Sequence, residues 1–301
     1  MKRYGRQILL LVLYAVIVFE GVALAGTPPA MVIVESGARI QAAIDAVTDG
    51  GIVVIEPGTY RENLEIDRSV IVLGQEGVIL EPETRNRPAM TVDQTAGVSI
   101  FGFQIRNAAV GIDVLDSSCL IADCTIRASE IGVRIMTFDD DSVSLRNTVV
   151  HGDDKGVGAS VLGSGTAALS ICEFSGFATG ASIGGIARVS ISGCIVERCY
   201  DGCTMASAAT AILTDNLIRS NHGSGVRLDA SPSGTEEGSL ALLRNTIEAN
   251  GHWGLSLCGA DGVSGVEPFG QILGWENRFA DNGLGPICPT DLPLPGAFLD
   301  E

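Results

Sequence analysis

Asn216-Leu-Ile-Arg-Ser-Asn-His-Gly-Ser-Gly225-Val-Arg-Leu228 is followed, 29 residues on, by Asn245-Thr-Ile-Glu-Ala-Asn-Gly-His-Trp-Gly254-Leu-Ser-Leu257. Both stretches open on Asn, carry a second Asn five residues later, and reach a Gly before an alternating apolar run. The pattern extends outward in looser form. Its starts are Phe103-Gln-Ile, Cys124-Thr-Ile, Asn147-Thr-Val, Cys172-Glu-Phe, Cys194-Ile-Val and Asn277-Arg-Phe, at steps of 21 to 32 residues. Alternation sends every second side chain inward. One such repeat cannot bury its own inward face, whereas stacked repeats bury a continuous column. Short strands, a period near 22 and no helix predict an all-β fold, a single-stranded parallel β-helix of about ten coils over residues 51–285.

Composition agrees. The chain has 301 residues, 38 of them Gly, with 46% hydrophobic and 18% charged residues. That is too apolar for a disordered chain. The glycines lack the every-third-residue rule of collagen. Helix bundles tolerate so much Gly poorly, since each interior Gly costs about 1 kcal/mol relative to Ala. Asn147, Asn216, Asn245 and Asn277 are expected in one turn ladder, and Asn221, Asn250 and Asn282 in another. Stacked Asn side chains hydrogen-bond along such a column. The polar runs 229–238 and 260–270 read as loops leaving it.

The ends differ from the body. Lys2, Arg3 and Arg6, the apolar run Ile8 to Phe19 and Ala23-Leu24-Ala25 have the layout of a secretory signal over residues 1–25. The apolar run is short of the ~20 residues a membrane span needs, so no stable membrane insertion is expected after cleavage. A secreted or periplasmic protein starting near Gly26 is the expectation. Removing the signal leaves 16 basic against 35 acidic residues, a net charge of −19. Such a surface repels nucleic acid and anionic membranes and can attract Ca²⁺. Residues 26–50 read as a cap with a helix from Ser36, its N-cap, to Val47, ended by Asp49-Gly-Gly51. Residues 286–301 are Pro-rich and read as the opposite cap or a tail.

The runs Ile40-Gln-Ala-Ala-Ile-Asp-Ala-Val47, Gly51-Ile-Val-Val-Ile-Glu-Pro-Gly-Thr-Tyr-Arg-Glu-Asn63 and Ile71-Val-Leu-Gly74 resemble the start of right-handed parallel β-helix proteins, the pectin-lyase-like superfamily, and most of all its NosD-type exported members. Gly58-Thr-Tyr-Arg-Glu62 also resembles the opening motif of pectin methylesterases. The resemblance implies an outward site of Asp, Arg, Lys and sometimes Ca²⁺ acting on acidic polysaccharide. The enzyme motifs themselves are missing. There is no later Gln-Asp site of the methylesterases, no Asn-Thr-Asp of the polygalacturonases and no Asp-Pro-His-Glu of the alginate epimerases. Asp153-Asp154 and Asn221-His-Gly223 lie about three coils apart, too far for one acid–base pair.

What remains is a looser set. Asp113, Arg134, Ser182, Thr204, Arg227 and Ser256 are expected on one outward row, with Asp116 and Asp139, Asp140 and Asp141 just beyond. Arg134, Asp153, Asp154 and Lys155, with His151 near them, are the candidate catalytic groups, since a cation beside carboxylates suits β-elimination or epimerisation of a uronic acid. Asp139, Asp140 and Asp141 are the candidate metal ligands, for Ca²⁺. Asp113, Asp116, Arg106 and Arg127 are candidate ligand contacts, and Trp253 a candidate sugar-stacking surface. Trp275 is expected to pack near the last coil. Among the eight Cys, Cys119 and Cys203 align with inward Val and read as small buried hydrophobes; Cys172–Cys194 could bridge adjacent coils and Cys258 with Cys288 could pin the C-terminal cap, though neither pairing follows from sequence. Three functions stand: recognition of a polysaccharide or other extracellular ligand, a lyase or epimerase on uronic-acid polymers, and a NosD-like accessory role in periplasmic metal-cofactor assembly, the last resting on resemblance alone.

Overall fold

The alternating runs do form strands, and each coil contributes one to every face of a parallel column. The computed structural model describes residues 28–206, 208–229, 238–257, 270–288 and 290. The first face is an 11-stranded sheet running from Met31–Val34 through Gly51–Ile55 to Gln271–Trp275. The second runs from Gly58–Arg61 to Arg278–Ala280, and the third from Leu64–Ile66 to Gly285–Cys288. Gln104–Leu115 and Thr125–Thr137 are long enough to serve both the second and third faces. Every strand pairing is parallel, for example Cys203↔Val226 and Leu240↔Ile272, with register shifts at Ser118/Cys119 and between Ile126 and Ile131. Inward Val, Ile, Leu, Phe, Ala and Cys form one continuous buried cluster from Val34 to Ile287.

The recurring glycine owes its place to space rather than to backbone freedom. Gly111, Gly132, Gly158, Gly180, Gly202, Gly225 and Gly254 have no positive φ. A methyl group built on Gly225 would lie 2.5 Å from Cγ2 of Ile247 and 2.8 Å from the carbonyl oxygen of Gly254. Gly202 meets Ile218 of the next coil in the same way, at 2.6 Å. Left-handed backbone occurs elsewhere, one residue before the turn ladder, and mostly without glycine: Asp123, Asn147, Ile171, Asp215, Arg244 and Glu276 all have φ between 46° and 56°.

Two asparagine ladders hold the turns. Nδ2 of Asn216 donates to Oδ1 of Asn245 at 2.9 Å, and Asn245 donates to Asn277 at 3.0 Å. The same Oδ1 atoms accept the backbone N–H of the coil before. Asn221, Asn250 and Asn282 repeat this five residues on. Asn147 is not in the ladder. It sits one position earlier, exposed, with its amide on Asp123, and the buried Thr148 takes the ladder site, its Oγ1 accepting from Cys124 N–H. The register Arg146↔Ala122 and Arg146↔Ser170 aligns Asn147 with the left-handed Asp123 and Ile171, and Thr148 with Cys124 and Cys172.

The cap helix is shorter than its sequence pattern. It spans Ile40–Ala46, its N-cap is Arg39 rather than Ser36, and no side chain of its own segment caps it. The cap comes from the first coil: the buried carboxylate of Glu62 accepts the N–H of Ile40 at 2.7 Å and of Gln41 at 3.2 Å. A carboxylate there satisfies orphan donors and complements the helix dipole. In the same motif Tyr60 Oη donates to the carbonyl of Glu56 at 2.7 Å. Gly58-Thr-Tyr-Arg-Glu62 is thus a joint between helix and column. Ile40, Ala43 and Ile44 close the column's first coil.

Cys172 and Cys194 are stacked but unbridged. Cys172 N–H points at Cys194 Sγ, 3.4 Å away, and both are free thiols, as are Cys119, Cys124, Cys199 and Cys203. Cys288 is disulfide-bonded; Cys258 lies outside the described residues, as do the signal segment and most of both polar loops. Burial pushes the thiols of Cys119 and Cys124 from an ordinary 9.0 up to about 12. A group whose folded pKa is raised lends stability below its unfolded pKa and loses it as pH rises towards the folded one. Denaturant midpoints are therefore expected to be steady below pH 9 and to fall between pH 9 and 12, less so in Cys119→Ala/Cys124→Ala. The packing account predicts that Gly225→Ala costs about 1–3 kcal/mol. Asn245→Ala, which strands several buried donors and acceptors, should cost about 2–4 kcal/mol by urea unfolding, and Asn147→Gly within ~0.5 kcal/mol.

Candidate functional site

A recess opens at the corner where the second face turns into the third. Thr125–Thr137 passes this corner without a break, whereas the next coil divides into Val149–His151 and Val157–Gly163. Its extra residues, 152–156, stand out from the column. The step between the two coils leaves a polar recess of about 200 Å³ lined by Arg85, Asn107, Arg127, Ser129, His151 and Asp153, floored by Ala108, Ala128 and Gly152. Arg85 enters from the loop between Val78–Glu81 and Met90–Asp93, where its Nε donates to the carbonyl of Asn107 at 2.9 Å. Asn107 adopts φ 57° and donates from Nδ2 to Glu81 at 2.9 Å. His151 Nδ1 is 2.7 Å from Ser175 Oγ, which fixes the ring.

Clustering of unpaired arginines distinguishes this corner. Most arginines already have a carboxylate: Arg134 with Asp113, Arg219 with Glu197, Arg227 with Asp201, Arg244 with Asp215 and Arg278 with Glu248. Among the described residues Arg85, Arg106 and Arg127 form no ion pair; Arg146 and Arg188, far apart on the first face, also form none. Arg106 only shares a hydrogen bond with Gln104, at 2.7 Å. Arg127 leads an outward row that continues as His151, Ser175, Glu197, Arg219 and Glu248, one residue per coil, with Arg106 in the coil before it. In a chain of net charge −17, three unpaired guanidinium groups at adjacent levels make a local cationic strip. Guanidinium binds carboxylate or phosphate through two parallel hydrogen bonds.

The other sequence candidates fall elsewhere. Asp113, Arg134, Ser160, Ser182, Thr204, Arg227 and Ser256 are in register on the third face. Asp113 is buried, and its carboxylate takes both Nε, at 2.7 Å, and Nη2 of Arg134. That hydrogen bond raises the guanidinium's pKa further, against the desolvation of its partial burial. Arg134 is committed to this pair and does not join Asp153. Asp154 and Lys155 share the exposed turn of Asp153, and Asp154 N–H closes it onto Gly176. The proposed catalytic four are therefore divided between two places. Asp116 is exposed at a left-handed turn.

Asp139, Asp140 and Asp141 form a turn rather than a cage. Asp141 accepts from Ser118 Oγ at 3.2 Å and from Phe138 N–H at 3.4 Å, and Asp139 donates its N–H to Ser164. Among the described residues no three His, Cys, Asp or Glu gather as metal ligands. The three carboxylates do not converge as a resident Ca²⁺ would require. Trp253 is half-buried with its ring beside Gly285 of the next coil. Trp275 does not pack inward: on the last strand of the first face it is 54% exposed. Sequence reading missed Arg85. The signal was there in Glu81-Pro-Glu-Thr-Arg-Asn-Arg-Pro88, a polar excursion between two apolar runs like the loops later in the chain.

Comparison with known proteins matches this geometry at the level of fold. Residues 135–267 match the family model described as a right handed beta helix region. The chain is a right-handed parallel β-helix. No curated protein matches it by sequence. Among solved structures, the β-helix is similar to ORF18 of Geobacillus virus E2, with TM-score 0.61 and 14% identity over 82% of this chain. It spans 55% of that viral protein's length. It is also similar to a pectate lyase, with TM-score 0.63 and 13% identity over 92% of this chain and 80% of the other. The A-module of a mannuronan C-5 epimerase from Azotobacter vinelandii gives 0.54 and 15%, over 90% and 97%. At such identities the likeness is one of fold.

The two acidic groups have different expected sensitivities. Asp113→Ala leaves a partly buried guanidinium unpaired and should cost about 2–4 kcal/mol of stability, whereas Asp153→Ala should stay within ~0.5 kcal/mol. Thermal and urea unfolding of the two variants side by side checks this.

Proposed function

We propose that the β-helix is an exported protein that binds an acidic polysaccharide at the corner recess. The observation that carries the reading is the set of guanidinium groups of Arg85, Arg106 and Arg127, free of internal carboxylates in an acidic chain. Adjacent coils lie ~4.8 Å apart, which is the scale of one sugar unit, so successive arginines can meet successive carboxylates. Uronic-acid polymers have that charge pattern. The solved neighbours named as a pectate lyase and a mannuronan epimerase support this ligand class without assigning it. Export is inferred from the basic, apolar and small-residue layout of residues 1–25. No helix among the described residues is long and apolar enough to cross a membrane.

A second reading rests on His151 and Asp153 lining the same recess as Arg85 and Arg127. A guanidinium on a uronate carboxylate makes the proton at C5 easier to remove, and an imidazole nitrogen beside it can accept that proton. Elimination of the 4-linked sugar then leaves an unsaturated end, and return of the proton to the other face gives the epimer. The NosD-like accessory role rests on sequence resemblance and has no three-ligand cluster among the described residues to draw on.

Binding to polygalacturonate and alginate, followed by calorimetry, tests the first reading. Arg127→Ala and Arg85→Ala should each weaken binding about 10-fold, with a smaller salt dependence than the parent. Arg244→Ala, which removes an exposed ion pair far along the first face, should leave affinity unchanged. No binding of either polymer by the parent would contradict the proposal. Absorbance of unsaturated products, and NMR of the treated polymer for epimer content, decide the catalytic reading; activity that survives His151→Ala would sink it.

A further inference from the structure

The recess occupies only the first part of its corner. Further along the same corner, in the connectors from the second face to the third, the coils carry aromatic side chains. Tyr200 is 51% exposed and meets His252 edge-on, with ring centroids 6.3 Å apart. The two residues are on alternate coils. Gly223 occupies the coil between, and a methyl group built there would lie 3.2 Å from Cε1 of Tyr200, so the missing side chain lets the tyrosine ring span the gap. Trp253 follows His252 directly. Its ring covers Gly285, where a methyl group would stand 3.0 Å from Cζ3, and Leu284 beside it is 57% exposed.

We infer that Tyr200, His252 and Trp253 form a second, sugar-stacking part of one binding track, and that the ligand is an extended acidic polysaccharide lying parallel to the column axis. The inference rests on the polysaccharide reading of the arginine recess and specifies its ligand's length and direction. Three features support it. The recess and the aromatic group belong to the same connector of successive coils, so both open on one corner. Beyond the exposed turn of Asp153 and Asp154, the acidic members of the row are neutralised, since Glu197 is held by Arg219 at 2.9 Å and by Arg198 at 2.8 Å and Glu248 by Arg278 at 3.0 Å. A polyanion therefore passes no unpaired carboxylate of this row. And aromatic rings offer a flat apolar face with a polar edge, the complement of the C–H face of a pyranose whose hydroxyls point outward.

The geometry also sets a length. From Arg106 to Glu248, the row member in the Trp253 coil, there are six inter-coil steps, or ~29 Å. A disaccharide can occupy the arginine end only. A chain of about six or more sugars reaches both ends, and linking the two contacts converts the second into an intramolecular event.

Titration of the full mature chain with oligogalacturonates of two to eight sugars, read by calorimetry, tests this. Parent affinity should rise steeply with length and level off near the longest. Tyr200→Ala should weaken the octamer about 5- to 10-fold and leave the dimer unchanged; Trp253→Phe should act in the same direction and more weakly. Tyr200 is half exposed, so its variant folds, which circular dichroism verifies. Octamer affinity unaffected by either substitution, with Arg127→Ala still weakening it, would overturn the track while leaving the recess in place. Absence of any oligogalacturonate binding by the parent would remove the recess reading itself, and the track with it. An equal loss for dimer and octamer in Tyr200→Ala would also contradict the track, since it would place the tyrosine at the arginine end.

Discussion

In-register contact between successive coils is the constraint on which everything else depends. Each coil presses a glycine against a branched or aromatic side chain and a carbonyl of the coil after it. Gly202 on Ile218 and Gly225 on Ile247 show the spacing, which leaves no room for a methyl group. The asparagine ladders work on the same coil-to-coil interval, with Oδ1 of Asn245, Asn277, Asn250 and Asn282 accepting both a side-chain and a backbone N–H of the neighbour. Inter-strand hydrogen bonds, apolar stacking and the ladders all demand the same register. Slipping one coil by one residue would turn its inward face outward. This is why, among the described residues, the larger length differences between coils fall in connectors such as 138–141 and 152–156, where the surface can vary.

The same register arranges the charges. A residue at a given position of one coil faces its counterpart in the next at ~4.8 Å, so Asp–Arg and Glu–Arg neighbours find each other easily. Asp113–Arg134 and Glu197–Arg219 are pairs of this type. Against that background a run of arginines without carboxylates is informative: Glu81 precedes Arg106 in its row but is held by Arg61 and Asn107, and Arg127 is followed by His151 and not by Asp or Glu. A chain with far more acids than bases leaves three arginines unpaired at one corner. Their accessible, unneutralised charge is the property that recognition of a polyanion requires.

Much of the column could be read from the sequence because its regularities are local. Alternation, the recurring Gly and the Asn spacing each report one coil, and the repeat reports stacking. The readings that changed depended on a count of turn residues or on a partner far away in sequence. Asn147 shares its tripeptide pattern with the ladder starts, but the pairing of Arg146 with Ala122 and Ser170 places it at the left-handed turn and Thr148 at the ladder site. Ser36 has the chemistry of an N-cap, but the helix begins later, at a point where Glu62, over twenty residues on, supplies the carboxylate. Cys172 and Cys194 share a ladder position as their spacing implies, and remain thiols.

The site was legible in fragments. Arg106, Arg127 and Asp153 were visible as charged outward residues, but the grouping with Arg134 did not follow, because Asp113 in the preceding coil takes that guanidinium first. Arg85 was hidden in an early loop with no repeat position of its own. The corner itself exists because one coil runs straight where the next bulges, a difference of a few residues that composition and periodicity do not weigh. Trp253 stood out as an aromatic in a turn, yet its relation to Tyr200 needs the glycine at position 223 to be placed between them.

The most direct test of the account is a crystal structure of the protein with a bound oligogalacturonate. The account predicts sugar carboxylates on Arg85 and Arg127 at the corner recess, with the chain running along the column axis. Sugar bound instead on the third face beside Arg134 and Asp113, or across the outer surface of the first face, would contradict it.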